Sequence, residues 1–276
     1  MKKKALLVGI NDYQGISDLR GCINDVTNVR SVLKTYFGFT NNDIRVLTDS
    51  RATKKNILLR LGLMVESAKP GDSLIFHFSG HGSQIRDRNN DELTDQMDEL
   101  ICPYDMNWDD GFITDDMLRK ILEQLKGKVK MEILLDSCHS GTGTRDVMPG
   151  RPECSGQNQY FKNRYLCPPI DIECRYQGDE KILKPAKAFR TEKEIILNHV
   201  LWTGCKDSQT SADALIDGRY NGAFSYYFCK HVRESRGNIK RDDLHSQVLN
   251  SLNFNHYTQL PQLECRDNLK GENIFK

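Results

Sequence analysis

Two residues in this chain combine reactive side chains with settings that suit nucleophilic chemistry. Cys138 lies in Asp136-Ser137-Cys138-His139-Ser140-Gly141, directly after Met131-Glu132-Ile133-Leu134-Leu135, a short apolar run that reads as a buried strand. His81 lies in Ser79-Gly80-His81-Gly82-Ser83-Gln84, directly after a second such run, Asp72-Ser73-Leu74-Ile75-Phe76-His77-Phe78. A thiol and an imidazole thus each stand just past the carboxyl end of a strand, the edge of an open parallel sheet where ligands bind. Such a pair suits a cysteine hydrolase: the sulfur attacks, and the imidazole forms or holds the thiolate and protonates the leaving nitrogen. Gly82 lets the backbone approach a ligand closely, so the N–H groups of Gly82 and Cys138 are natural donors to a tetrahedral oxyanion. Taken singly, Cys138 reads as an inert buried thiol and His81 as a turn histidine; taken together, at two strand ends, they read as a dyad. His139 adjoins the nucleophile, where a neighbour points elsewhere, and His77 lies inside its strand, so neither is a good base.

The elements that must position this pair alternate between strand and helix. Residues 5–10 read as a strand, followed by Ile23, Val26, Val29, Val32, Leu33 and Tyr36 at helical spacing, with Gly38 as C-cap. Ile44–Leu47 is a strand, and Thr53 caps a helix carrying Ile57, Leu58, Leu61, Val65 and Ala68 that Pro70-Gly71 ends. The strands at 73–78 and 131–135 flank a long connection, mostly loop, with a helix near 115–126. Beyond it, 195–203 reads as a strand, 221–234 and 241–252 as helices, and 262–265 as an edge strand. The alternation predicts an α/β fold of βαβ units with a mainly parallel sheet of about six strands and helices on both faces. Residues 148–192 lack steady periodicity, and a loop of that length inside a domain is functional or disordered.

A chain of 276 residues can bury a full core. Lys and Arg number 39 against 38 Asp and Glu, so no basic surface for nucleic acid or anionic membrane is expected. No run is long enough to span a bilayer, and the apolar stretch after Lys2-Lys3-Lys4 stops too early for a signal peptide. The expected location is cytoplasmic, where the nine cysteines would stay reduced. Cys154, Cys167 and Cys174 are a weak zinc candidate, since their spacing fits no common module. Gly141-Thr142-Gly143 lacks the rest of a phosphate loop, and there is no His-Glu-x-x-His motif. The oligomeric state stays open, with nothing against a monomer.

The flanks of the two residues, and their separation of about 57 positions, close to that of caspases, point to a family. Phe78-Ser79-Gly80-His81-Gly82-Ser83-Gln84 and Asp136-Ser137-Cys138-His139-Ser140-Gly141 resemble the metacaspases and orthocaspases. So do Leu19-Arg20-Gly21-Cys22-Ile23-Asn24-Asp25, Asp98-Glu99-Leu100-Ile101-Cys102-Pro103 and Gly204-Cys205-Lys206-Asp207-Ser208-Gln209-Thr210-Ser211-Ala212-Asp213. The resemblance implies one caspase-like three-layer sandwich. Residues 1–147 would form the large-subunit-like part with the dyad, 148–192 a variable loop, and 193–276 the small-subunit-like part that walls the cleft through Trp202 to Asp213. It implies a cysteine endopeptidase with His81 and Cys138 as dyad and Gly82 at the oxyanion, acting on proteins or peptides with basic residues.

The resemblance also implies an acidic primary pocket from Cys22, Asp25, Ser79 and Asp136, and hence cleavage after Arg or Lys, whose cations such carboxylates bind. Read without it, Asp25 is a helix-terminus carboxylate and Asp136 a turn former. An activating calcium would be held by Asp95, Asp115, Asp116 and Asp146, hard oxygen ligands as that ion prefers; the same Asp115 and Asp116 also suit a helix first turn after an N-cap at Thr114. Self-cleavage is implied in 148–192, which carries Lys162, Arg164, Arg175, Lys181, Lys184, Lys187 and Arg190; a solvated variable insertion is the alternative. The rival functions are a related peptidase with Asp or Asn preference and a caspase-like module kept for binding.

Overall fold

A computed structural model describes residues 1–86, 97–138, 161–173, 199–206 and 209–275. The first half runs β1 (Lys3–Gly9), α1 (Cys22–Phe37), β2 (Ile44–Thr48), α2 (Lys54–Glu66), β3 (Ser73–Ser79), β4 (Gly82–Arg86), β5 (Met97–Ile101), β6 (Ile113–Thr114), α3 (Asp115–Leu122) and β7 (Lys130–Asp136). The remainder is β8 (Phe161–Asn163), α4 (Ile170–Glu173), β9 (Val200–Thr203), β10 (Ala212–Ile216), β11 (Arg219–Gly222), α5 (Ala223–Glu234), α6 (Arg241–Phe254), β12 (Gln262–Glu264) and α7 (Asp267–Lys270).

The main sheet has six strands in the order β12-β9-β7-β3-β1-β2. All neighbours are parallel except the β12 edge, which pairs antiparallel with β9. Strand residues alternate between two cores, as the two-residue period of a strand requires. Leu6 and Val8 of β1, Leu74, Phe76 and Phe78 of β3, and Met131, Ile133 and Leu135 of β7 pack with α2 and α3. Ala5, Leu7, Ile75 and Leu134 face the other way, against α1, α5 and α6. Covering both faces is why these strands read as continuous apolar runs. The helix ends follow local chemistry: Thr53 accepts the Asn56 N–H at 3.2 Å to open α2, and Gly38 closes α1 at φ 66°, a left-handed conformation that glycine adopts freely.

Two small antiparallel sheets were not expected. β4, β5 and β6 form one, within a stretch read as mostly loop, and β8, β10 and β11 form the other, with β8 inside the variable segment. Acidic residues in β5 and the brevity of β6 and β8 hide both from a periodicity search. α3 also stops at Leu122, and α5 starts at Ala223, because Asn221 belongs to β11. Of the strand expected at 195–203, Val200–Thr203 is observed, and residues 193–198 lie outside the described set. Six described cysteines are free thiols, but Cys167 is disulfide-bonded. This corrects the expectation of reduced thiols throughout and leaves Cys167 no thiolate for zinc; Cys154 and Cys174 are outside the described residues. No described helix is long and apolar enough to cross a membrane.

β7, the strand that leads to Cys138, buries a carboxylate in mid-strand as well as Asp136 at its end. Glu132 accepts the Trp202 indole N–H at 3.1 Å, an Arg241 guanidinium N–H at 2.6 Å and the Phe275 backbone N–H at 2.6 Å. Removing one partner of a buried ion pair strands the other charge. Glu132→Ala is therefore expected to lower unfolding stability by about 3–5 kcal/mol, read as a drop in urea midpoint, far more than truncation of an exposed carboxylate.

Candidate active site

Strand register brings the two residues of the expected dyad to one edge of the sheet. Ser79 of β3 pairs with Asp136 of β7, so His81 and Cys138 each stand two residues beyond one aligned row at the carboxyl edge of the sheet. His81 is clamped on its backbone by the Tyr13 hydroxyl, which accepts its N–H at 2.8 Å. Its Nε2 lies 2.7 Å from the Ser17 carbonyl. A carbonyl can only accept, so Nε2 carries the proton and Nδ1 keeps its lone pair. Burial lowers the imidazole pKa to about 4, against the pull of hydrogen bonds to the backbone of Ser17 and Arg164. The ring is thus uncharged at neutral pH. Cys138 is fully buried; its sulfur accepts the Ser211 N–H at 2.5 Å and its thiol lies 3.4 Å from the Ser211 carbonyl. Cys205 lies alongside: its hydrogen bond to the Cys138 thiol, with burial, raises its own pKa.

Beside the dyad is a buried anionic pocket, and the chain's own Arg164 fills it. The guanidinium is 0% exposed, a burial no unpaired charge would tolerate. Nη2 lies 2.8 Å from Asp25 Oδ2 and 3.1 Å from Asp213 Oδ1. Nη1 lies 3.2 Å from Asp136 Oδ1 and donates to the Ser79 hydroxyl at 2.8 Å and the Asp136 carbonyl at 3.0 Å. Burial opposes the guanidinium charge, and Asp136, Asp25 and Asp213 outweigh it, holding the pKa well above its ordinary value. Burial also pushes Asp25 up to about 7, against the pull of Arg164. The carboxylates are fixed from behind. Asp25 accepts the Gly222 N–H at 2.9 Å, and Asp136 accepts the Ser211 hydroxyl at 2.6 Å and the Ser225 N–H at 2.9 Å. Asp213 accepts the Arg20 and Gly21 N–H groups, each at 2.8 Å.

The main chain around Arg164 lies across the dyad as an added strand. Residues 161–163 pair antiparallel with 212–214. The Arg164 N–H donates to the Ser211 carbonyl at 3.1 Å, the same oxygen that faces the Cys138 thiol. The Arg164 carbonyl accepts the Gly82 N–H at 2.9 Å, and the Leu166 N–H returns to the Gly82 carbonyl at 2.8 Å. A side chain on Gly82 would collide with the Cys138 carbonyl, so glycine is required there. The carbonyl of Arg164 is thus polarised by an N–H group beside a thiol and a neutral imidazole.

The structure gathers every expected dyad and pocket residue here: His81, Gly82, Cys138, Asp25, Ser79, Asp136 and Cys22. Cys22 is buried beside Ser79 and Arg164; burial is the main cause that raises its pKa. Asp25 stands in the first turn of α1, as the helix-end reading has it, and is at the same time a buried wall of the pocket. His77 is packed as expected: its Nε2 is 3.4 Å from the Ser225 hydroxyl, and burial lowers its pKa to about 4. His139 lies outside the described residues. Trp202 corrects the expectation that it walls the cleft: it is sealed in the α5–α6 core against Phe228, 5.3 Å between ring centroids. Asp115 and Asp116 open α3 behind Thr114, which accepts the Met117 N–H at 3.2 Å, and Asp116 pairs with Arg119. Asp95 and Asp146 are outside the described residues, among which no three potential metal ligands converge.

Sequence reasoning put Asp213 at the end of the stretch walling the cleft but did not assign it to the acidic pocket, although a lone acid within Ala212-Asp213-Ala214-Leu215-Ile216 is a visible signal. It also missed Gln259, whose amide donates to the Gly204 carbonyl at 2.8 Å and accepts the Ala212 N–H at 3.0 Å, bracing the loop that holds Ser211. Arg164 stood as one basic residue among eight in 148–192.

Comparison with known proteins agrees with this geometry. The description "Metacaspase, peptidase C14 domain" matches residues 3–146. Metacaspase-1 of Botryotinia fuckeliana is 34% identical over 303 residues, spanning 99% of this chain and 70% of its own. Metacaspase-1 of Pyricularia oryzae is 33% identical over 304 residues, spanning 99% and 74%. Among solved structures, a Geobacter sulfurreducens protein superposes with a TM-score of 0.71 at 22% identity, covering 100% of this chain and 99% of its own. Caspase-1 from Spodoptera frugiperda gives 0.60 at 11% identity, covering 96% and 86%; these two likenesses concern the fold alone. By sequence, sheet order and architecture, the chain belongs to the metacaspases, within the caspase-like cysteine peptidases.

Proposed function

We propose that this protein is a cysteine endopeptidase that cleaves after arginine, and that its first substrate is its own Arg164–Tyr165 bond. The supporting observation is the seat of Arg164: guanidinium among three carboxylates, main chain paired with β10, carbonyl on the Gly82 N–H. In this reading His81 Nδ1 takes the Cys138 proton as sulfur attacks the Arg164 carbonyl. The Gly82 N–H stabilises the oxyanion, and the imidazolium then returns the proton to the Tyr165 nitrogen as the C–N bond breaks. Water then hydrolyses the thioester.

Arginine fits better than lysine. Its two terminal nitrogens divide between Asp136 with Ser79 and Asp25 with Asp213, a split that one ammonium cannot reproduce. Loss of a charge-assisted hydrogen bond costs about 1.5–3 kcal/mol, so kcat/KM for an Arg-ended peptide is expected to exceed that for its Lys counterpart by roughly tenfold or more. An Asp or Asn side chain would meet three carboxylates with no cation, which argues against the rival preference. A module kept only for binding would have no need of a neutral imidazole beside an intact thiol. A thiol-reactive Arg peptide that failed to label Cys138 would revive that rival.

Calcium activation belongs to this reading through Asp95, Asp115, Asp116 and Asp146, whose carboxylates are the oxygen donors calcium takes; the Arg119 partner of Asp116 would have to yield to the ion. Excess chelator is expected to suppress Arg-peptide hydrolysis and calcium to restore it; activity unchanged in chelator removes calcium from the reading.

Two further outcomes test the core. Intact-mass measurement on wild type should find a break after Arg164, which Cys138→Ala abolishes together with Arg-peptide hydrolysis; an intact wild-type chain that also leaves Arg peptides uncut defeats the proposal. The Asp25 carboxyl must ionise to bind a guanidinium, and its pKa is about 7. Protonation removes that charge, and a pocket that Arg164 has left loses the cation that lowers this pKa, so KM for an Arg peptide should rise as pH falls from above 7. The His81 base, with a pKa of about 4, stays neutral over that range, so kcat should fall much less.

A further inference from the structure

Both sides of the Arg164–Tyr165 bond are built into the enzyme. On the acyl side, Arg164 is sealed in the pocket and β8 is paired to β10, while only residues 139–160 join this segment to Cys138 in the chain. On the amine side, the Leu166 N–H bonds the Gly82 carbonyl at 2.8 Å, and the Ser83 hydroxyl donates to the Leu166 carbonyl at 2.6 Å. Tyr165 itself bridges to Gly82. A few residues on, Leu166 packs against the α2–α3 core and Ile172 of α4 is buried within it. Breaking the peptide bond removes none of these anchors.

From this we infer a second activity, which rests on the reading above: Cys138 rejoins the bond it cuts, so the enzyme is a peptide ligase toward its own Arg164 and Tyr165. The return path is the cleavage path reversed. The Arg164 carboxylic acid and the Cys138 thiol condense to a thioester with loss of one water. The Tyr165 α-amine then attacks the thioester carbonyl, its C–N bond forming as the C–S bond breaks. His81 Nδ1 accepts the amine proton and returns it to the leaving sulfur. No oxidant or energy source is consumed, because the reaction only approaches its own equilibrium.

That equilibrium decides the matter. Two fragments of a cut free peptide diffuse apart, and hydrolysis goes to completion. An amine fixed at the acyl carbon acts instead with an effective molarity of up to about 10⁵–10⁸ M, set against water that must enter a buried site. The seated bond should therefore come to rest as a mixture of intact and nicked chains.

The test is approach from both directions. Wild-type protein nicked after Arg164 is separated from intact chain by ion exchange, and each is incubated in H₂¹⁸O and followed by intact mass. Expected is convergence on one intact-to-nicked ratio from both starting points, with both forms present, while the synthetic peptide Phe-Lys-Asn-Arg-Tyr-Leu, which binds only where Arg164 has left the pocket, is cut completely. The inference is overturned if intact chain converts wholly to nicked and nicked chain returns none, whether or not ¹⁸O enters the Arg164 carboxylate. Entry of ¹⁸O in that case would show the thioester forming after the amine has left. If neither the chain nor any Arg peptide is ever cut, it is the peptidase reading that fails.

Discussion

One buried cation holds the cleft together. Arg164 places a guanidinium among Asp25, Asp136 and Asp213, which lie on α1, at the end of β7 and on β10. Without a positive partner, three acids in a sealed space would repel one another and would protonate before they ionised. Even with the cation present, burial lifts one of them to about 7. The arrangement is therefore a site that demands an occupant, and the folded chain supplies its own. Such pairs contribute less to stability than their number suggests, because desolvation offsets much of the attraction; what they fix is which group sits there.

The frame that makes this possible is the parallel sheet. Its register aligns Gly9, Ser79 and Asp136 across β1, β3 and β7, so Ser79 and Asp136 face the pocket from that row and His81 and Cys138 follow two positions beyond it. Packing on both faces keeps the row rigid, and it leaves the carboxyl edge as the place where loops can vary without disturbing the core.

This logic explains what could be read from the linear chain. Runs such as Leu74–Phe78 and Met131–Leu135 announce buried strands because both faces are covered, and reactive residues at their ends announce a site. The partners could not be read the same way. Asp213 reaches the pocket only through a hairpin of short strands, and Gln259 braces its loop from a stretch with no periodicity. Arg164 was hidden among similar basic residues, since nothing in its immediate neighbours records that a pocket elsewhere in the fold matches it. Trp202 misled for the converse reason: it follows the motif pattern in sequence, yet strand alternation turns it inward to Glu132. Local pattern reports burial and punctuation; long-range complementarity is left to the folded state.

The short loop before α1 joins two jobs. Its Ser17 carbonyl orients the His81 ring, and its Arg20 and Gly21 amides grip Asp213, the acid that reaches the guanidinium. Whatever fills the pocket therefore also tugs on the segment that steers the imidazole. A guest lacking the cation would leave that segment slack and the proton acceptor poorly aimed. Discrimination would then be expressed in how fast a bound chain reacts, and a poor guest could bind and still go unreacted.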